Sequence, residues 1–210
     1  IDLLNGISDI NNKIIRTVGN ALDKISEDSL RILRAIRFAT TLDFKLDESL
    51  IEAIKKNKHL LKSLSYYRKK DELDKIFSSS NCMKGIKLIK ELGLEEPLEL
   101  SNLENIVPTT YLIGIWAQIN CSNKYSFNKV EKNSIEQIKE LLNKEVLDNS
   151  NLYKYGLYIS TIVSEIKGIN RSLITEKYNN LYIHNNQKNY NILSNIFLFH
   201  LTFLYYIFQL

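Results

Sequence analysis

Two prolines and seven glycines in 210 residues leave this chain little of the chemistry that turns a backbone. A fold of many short strands needs a turn every few residues, so this scarcity favours long helices. Nothing alternates with a period of two for long enough to require a sheet, and apolar residues recur at helical spacing instead. The fold class is therefore all-α. Ser26 reads as the N-cap of a helix running to about Thr40, with Glu27 and Asp28 in its first turn, where carboxylates suit the helix dipole. Asp47 caps a second helix, with Leu50, Ile51 and Ile54 on one face. A third is expected over roughly 67–77, and a fourth from about Asn81 to Leu92, stopped by Gly93. Residues 1–25 read as a short irregular lead-in. Pro97 and Pro108 mark a change of segment, beyond which helical patterns lie near 109–119, 127–145, 148–167 and 190–209.

With 44% apolar and 25% charged residues the chain can bury a real core in one or two domains. The net charge of +4 is unevenly spread: residues 26–90 hold 15 Lys/Arg against 9 Asp/Glu, whereas residues 91–210 hold 10 against 12. A positive field confined to one segment fits a polyanion-binding module, although a solvated set of helix faces would look the same. Cys82 and Cys121 stand far apart with no Cys or His at ligand spacing, which argues against structural zinc or a disulfide framework and fits a reducing cytoplasm. The start at Ile1, without Met or a basic-then-apolar leader, reads as a piece of a longer protein with no secretory signal. The aromatic run from Tyr190 to Leu210 approaches the ~20 apolar residues that span a bilayer. Asn191, Ser194, Asn195, His200, Thr202 and Gln209 interrupt it on several faces, so a buried core helix and no membrane association are expected.

The chemistry concentrates in Glu27-Asp28-Ser29-Leu30-Arg31-Ile32-Leu33-Arg34-Ala35-Ile36-Arg37-Phe38. At about 100° per residue, Ile32, Leu33, Ile36 and Ala39 form a core-facing stripe, and Arg37, Arg34 and Arg31 form a contiguous sector beside it. Asp28 follows next in that order, one turn from Arg31, and Phe38 lies among the arginines, where it could lie flat against a base or sugar. An ionised Asp only accepts hydrogen bonds, and Arg only donates. Cytosine and adenine each present an exocyclic amine beside a bare ring nitrogen; uracil and guanine present a carbonyl beside a ring N–H. A carboxylate facing the amine and a guanidinium facing the ring nitrogen would accept C and A and leave groups unpaired with U and G. Such unmet groups can supply discrimination of roughly 10⁴ or more. Arg34 and Arg37 then suit a triphosphate or an RNA backbone. The plainer alternative is a solvated helix, Glu27 and Arg31 being an i,i+4 surface pair worth only about 0.3–0.5 kcal/mol.

The stretch Glu27-Asp28-x-x-Arg31-Ile-Leu-Arg34-Ala-Ile-Arg37-Phe38-Ala39, followed by Leu42-x-Phe44, resembles the nucleotide-reading motif of class II tRNA nucleotidyltransferases, the bacterial CCA-adding enzymes and their poly(A) polymerase relatives. Upstream, Gly6-x-x-Asp9-Ile10 and Ile15-Arg16-x-Val18-Gly19 resemble the segment joining that family's catalytic head to its neck. Downstream, Arg68-x-x-x-Glu72-Leu73-x-Lys75-Ile76 and Lys84-Gly85-Ile86-x-Leu88-Ile89-x-x-Leu92-Gly93-Leu94 resemble helices of the neck. Three departures stand out: Ser29 replaces the usual Pro, Asp43 replaces a Gly, and Tyr67 stands where a Glu usually precedes Arg68. The resemblance implies that Asp28 and Arg31 pair with the base of incoming CTP or ATP and that Arg34 and Arg37 contact the nucleotide. It implies residues 1–25 as the end of a head-to-neck link, 26–100 as a helical neck and 101–210 as a helical body and tail.

The resemblance further implies a head that binds Mg through two carboxylates. No Asp-x-Asp on a strand occurs in residues 1–25, so no catalytic or metal-binding residue is assigned, and the chain alone is expected to bind nucleotide or RNA weakly and to catalyse nothing. Asp71 and Asp74, at i,i+3 in a basic setting, read as solvated. Lys55-Lys56-Asn57-Lys58 and Arg68-Lys69-Lys70 are candidate contacts to the backbone of a tRNA, with a solvated face as the alternative. His59, His184 and His200 lack partners at metal or triad spacing, and Trp116 reads as core. The sequence points to no partner protein. Poly(A) polymerase, an A-adding or CC-adding enzyme, and a non-catalytic α-helical RNA-binding module remain as alternatives.

Overall fold

Helices carry nearly all the regular structure of residue 2 and residues 4–181, the part described by the computed structural model. The chain divides into two units, Ile1–Lys139 and Glu140–Leu210. In the first, α1 (Gly6–Asn12) leads to the two-residue strand β1 (Ile14–Ile15), then α2 (Ala21–Glu27), α3 (Leu30–Thr41), β2 (Lys45–Leu46) and α4 (Glu48–Asn57). After a 3₁₀ turn over Lys58–Ser63 come α5 (Tyr66–Phe77), α6 (Cys82–Glu91), α7 (Glu95–Leu98), β3 (Leu100–Ser101), α8 (Leu112–Gln118), β4 (Asn120–Cys121) and the start of α9 (Lys129–Leu142). The strands form two minimal ribbons, β1 parallel to β2 and β3 antiparallel to β4. The all-α expectation holds.

Two local expectations fail. Residues 1–25 are not irregular: Asn20 caps α2 by accepting from Leu22 N and Asp23 N at 2.9 and 3.3 Å. Ala21 and Ile25 then enter the core against α4. Ser26 is therefore inside α2, its hydroxyl donating to Leu22 O at 2.9 Å, and not a cap. Asp28 sits between two helices, extended at φ −149°, and Ser29 stands before α3. A cap residue six positions earlier, Asn20, outcompeted Ser26, and a corner replaced a continuous first turn.

The core-facing stripe of α3 is as expected, with Ile32, Leu33, Ile36 and Ala39 fully buried among Leu30, Ala35 and Thr40. Each buried Leu or Ile side chain contributes about 1.5–3 kcal/mol, so this face fixes α3 against α5 and α6. Asp47 caps α4 through Ser49 N at 3.2 Å, and Gly93 ends α6 at φ 65°. Asp43, at the position where the resemblance expects Gly, takes a left-handed φ of 56°. Asp tolerates that region better than most residues, and Lys84 Nζ holds its carboxylate at 2.6 Å, which also pulls its pKa down. Ser29 is buried and donates to Leu60 O at 3.3 Å.

Trp116 is core: it is 1% exposed, packs edge-on against Phe77 and Phe127, and donates its indole N–H to Asp74 at 2.7 Å. Asp74 is thereby tied to the interior and to Lys70 at 2.8 Å, whereas Asp71 pairs on the surface with Lys75. Tyr66, Glu99 and Lys124 form a surface cluster. Hydrogen bonds from Ser122, Tyr66 and Lys124 hold the Glu99 carboxyl down at about 2.

In the second unit Asp148 caps α10 (Asn149–Ile166) through Ser150 N and Asn151 N at 2.8 and 3.1 Å. The helix breaks at Gly156, whose φ of 72° and ψ of 174° are open only to glycine. Leu152, Ile159, Ile162, Val163 and Ile174 are buried, and the chain is helical again over 171–181. The expected helix near 190–209 lies outside the described residues. No helix among the described residues is long and apolar enough to cross a membrane.

Candidate functional site

The corner between α2 and α3 carries the charges that the sequence singles out. Asp28 turns the chain: its carboxylate accepts from Leu30 N at 3.1 Å, and its carbonyl accepts from Arg31 N at 3.0 Å. Both carboxylate oxygens also accept from one nitrogen of Arg68, at 3.3 and 3.2 Å. The side chains of Asp28, Arg31 and Arg68 remain 31%, 44% and 46% exposed. Asp28 and Arg31 thus share one exposed corner, although Asp28's ionic partner is Arg68 and not Arg31. Arg31 lies 3.8 Å from Glu27, which Lys24 holds at 2.8 Å and whose carboxyl Lys24 chiefly holds down.

Behind Arg31 the arginine row is anchored from below. Glu72 on α5 is 3% exposed and sits 3.0 Å from Arg37 Nε, 3.7 Å from Arg34 Nε and 3.9 Å from Lys75 Nζ. The Arg37 contact is close but not aligned as a hydrogen bond, so Glu72 acts as a buried charge balancing three cations. Removing a partner from such a buried group is costly, which fixes the row against α5. Arg37 also lies over the Phe38 ring, 4.4 Å from its centroid.

Two grooves flank this row and share Arg34 and Phe38. One, of about 510 Å³, is lined by Arg16, Thr17, Val18, Lys24 and Arg31, with Ala35 and Leu50 in its floor. Arg16 is steadied by Asp9 at 3.2 Å and Asp47 at 3.5 Å. The other, of about 370 Å³, is lined by Arg37, Tyr67, Arg68, Asp71, Glu72 and Lys75. Both suit anionic ligands, because forked guanidinium donors face open space. The contributions of Arg16, Lys24 and Tyr67 escape sequence reasoning. They enter because the segment after β1, α2 and α5 lie beside α3.

The candidate RNA contacts separate. Lys55 and Lys56 are exposed on α4, and Lys58 is half-buried with its ammonium against Gly93. Lys69 is turned inward: it is 1% exposed, reaches Pro97 O at 3.4 Å and lies under the Tyr66 ring, and burial lowers its pKa. A phosphate contact is closed to it in this structure. Lys70 is also turned in, 14% exposed between Asp74, Glu131 and Phe127. Both lie on the core side of α5, where helical periodicity puts them and tripeptide composition does not. Among the described residues no group of three or more His, Cys, Asp or Glu could hold a metal ion.

The chain is similar to several known proteins. Residues 43–103 match the protein-family profile described as a probable RNA and SrmB-binding site of polymerase A. The chain is 32% identical over 187 residues to a CCA-adding enzyme of Lactococcus lactis, covering 80% of this chain and 46% of the relative. It is 31% identical over 219 residues to one of Lactobacillus johnsonii, covering 89% and 54%. It spans about half the length of these curated relatives. Among solved structures, the fold is similar to a CCA-adding enzyme of Bacillus stearothermophilus in complex with CTP, with a TM-score of 0.76 at 22% identity over 88% of this chain and 54% of that one. A Thermotoga maritima CCA-adding enzyme complexed with tRNA gives a TM-score of 0.61 at 20% identity over 85% and 53%.

Proposed function

The chain belongs to the family of the CCA-adding enzymes, the tRNA nucleotidyltransferases, and from that premise we propose that its α2–α3 corner selects CTP and ATP for addition to a tRNA 3′ end. The observation that carries this is the pair of exposed, chemically opposite readers at one corner: the Asp28 acceptor and the Arg31 donor. Asp28 accepts from the exocyclic amine of cytosine or adenine, and Arg31 donates to the adjacent ring nitrogen. Arg68 steadies the Asp28 carboxylate before the base arrives. Arg34, and Arg37 behind it, take the phosphate charge, each held in place by Glu72.

The exposed Lys55, Lys56 and Arg68, with Lys58 beside them, grip the phosphate backbone of the tRNA, a role that the profile over 43–103 supports. Residues 26–100 act as the neck of the enzyme and 101–210 as its body and tail. The Mg of the reaction belongs to a head with paired carboxylates, and none of the described residues is assigned to it. The whole enzyme works in the cytoplasm, where its tRNA substrate is.

Arg34→Ala in the full-length enzyme tests the reading. Arg34 is 50% exposed and only 3.7 Å from Glu72, so its loss should move the thermal midpoint by less than about 2 °C. Losing a charged hydrogen bond to phosphate should raise KM for CTP and ATP about tenfold, with Arg34→Lys intermediate. An unchanged KM alongside a lowered midpoint would assign Arg34 to holding Glu72 alone.

A further inference from the structure

We propose that the groove between α3 and α5 is a stacking site for one nucleotide of single-stranded RNA, with Tyr67 and Phe38 as its ring contacts and Arg68 and Lys75 as its phosphate contacts. This goes further than the proposed function and rests on it, since it presumes an RNA substrate. Tyr67 is 77% exposed and Phe38 44%, and both line the same groove of about 370 Å³. On α5, residues 67, 68, 71, 72 and 75 fall on one face, so the Tyr67 ring and four charged groups line a single wall. The groove is lined by four cations, Arg34, Arg37, Arg68 and Lys75, against two carboxylates. One of those carboxylates, Glu72, is buried beneath the arginines, and the other, Asp71, is neutralised by Lys75 at 2.6 Å.

A positive groove with exposed aromatic faces is the arrangement that tracks a nucleic-acid backbone while bases stack on rings. A protein or lipid partner would gain little from it: six of its nine lining residues are charged, and besides the two rings only Leu30, itself buried, is apolar. The arrangement tolerates any base, because every base has a π-face, so it adds grip without adding selectivity. Phe38 is already pinned by Arg37, 4.4 Å from its centroid, which leaves a ring of fixed orientation beside the exposed Tyr67 side chain.

The test uses the full-length enzyme and a single-stranded RNA octamer carrying 2-aminopurine near its 3′ end, whose fluorescence falls when the base stacks. Tyr67→Ala should weaken binding about tenfold and abolish the quenching on binding, while Tyr67→Phe keeps both. Because Tyr67 is so exposed, the variant is expected to fold, and an unchanged thermal midpoint checks this. Wild-type affinity and quenching in Tyr67→Ala would overturn the proposal. So would a rise in KM for CTP with RNA binding intact, since the groove would then belong to the nucleotide. Choice among nucleotides, measured separately with Asp28→Ala, reports on the base-reading corner; its survival in Tyr67→Ala separates failure of the groove from failure of that reading.

Discussion

Replacing Asp28 with alanine in the full-length enzyme is expected to cut its preference for CTP and ATP over UTP and GTP by about a hundredfold. The size follows from what the carboxylate does. Its carboxylate accepts without donating, so it tells an exocyclic amine from a carbonyl. A hydrogen bond to a charged group is worth about 1.5–3 kcal/mol, or roughly 10- to 150-fold. Alanine removes the reward for the correct base and the penalty for the wrong one together. Asn should behave differently: it keeps the acceptor for Leu30 N, but its amide can also donate to a carbonyl, so UTP and GTP should gain more than CTP and ATP lose. The structural cost is separable, since Asp28 also caps Leu30 N at 3.1 Å and holds Arg68 on the surface. Those roles cost about 1 kcal/mol of stability each at most. Selectivity that survives while the thermal midpoint falls would make Asp28 a corner residue only.

The second large effect concerns the scaffold. Gly85→Ala is expected to destabilise the first unit by about 2 kcal/mol and to lower its melting temperature by roughly 5–10 °C. In an exposed helix the same change would gain about 1 kcal/mol. Here a Cβ would stand 2.4 Å from Ile76 Cγ2 and 2.8 Å from Thr40 Oγ1. Ile76 and Thr40 are both fully buried, and the Thr40 hydroxyl is committed to Ile36 O at 2.7 Å, so neither can swing into solvent. The methyl group must push α6 away from α3 and α5 at once. Because α5 holds Glu72 beneath the arginines, the same variant should raise KM for nucleotide at temperatures where it is still folded. A more stable Gly85→Ala protein, read by thermal unfolding, would show that the three helices do not meet so closely.

Much of this could be read from the chain. The arginine sector on α3 and its buried stripe follow from helical spacing, because both periodicities are local. The ends of α4 and α6 follow from Asp47 and Gly93, whose caps are also local. What escaped was long-range. Asp28 seemed to belong with Arg31 one turn away, yet Arg68, forty residues on, takes its carboxylate. Glu72 matters because α5 packs on α3, which no local pattern encodes. Lys69 and Lys70 looked like surface charge in a basic run, and burial reversed that: their position on α5 turns both inward, toward Pro97 and Trp116. The start of α2 was missed for a smaller reason, a capping Asn20 overlooked in favour of Ser26.

The base-reading corner is tested most directly by a structure of the full-length enzyme with CTP bound. The account predicts the Asp28 carboxylate at about 2.7–3.2 Å from the cytosine amine, with an Arg31 nitrogen at similar range from the ring nitrogen. A cytosine seated elsewhere, with Asp28 still bound to Arg68 and no contact to the base, would contradict it.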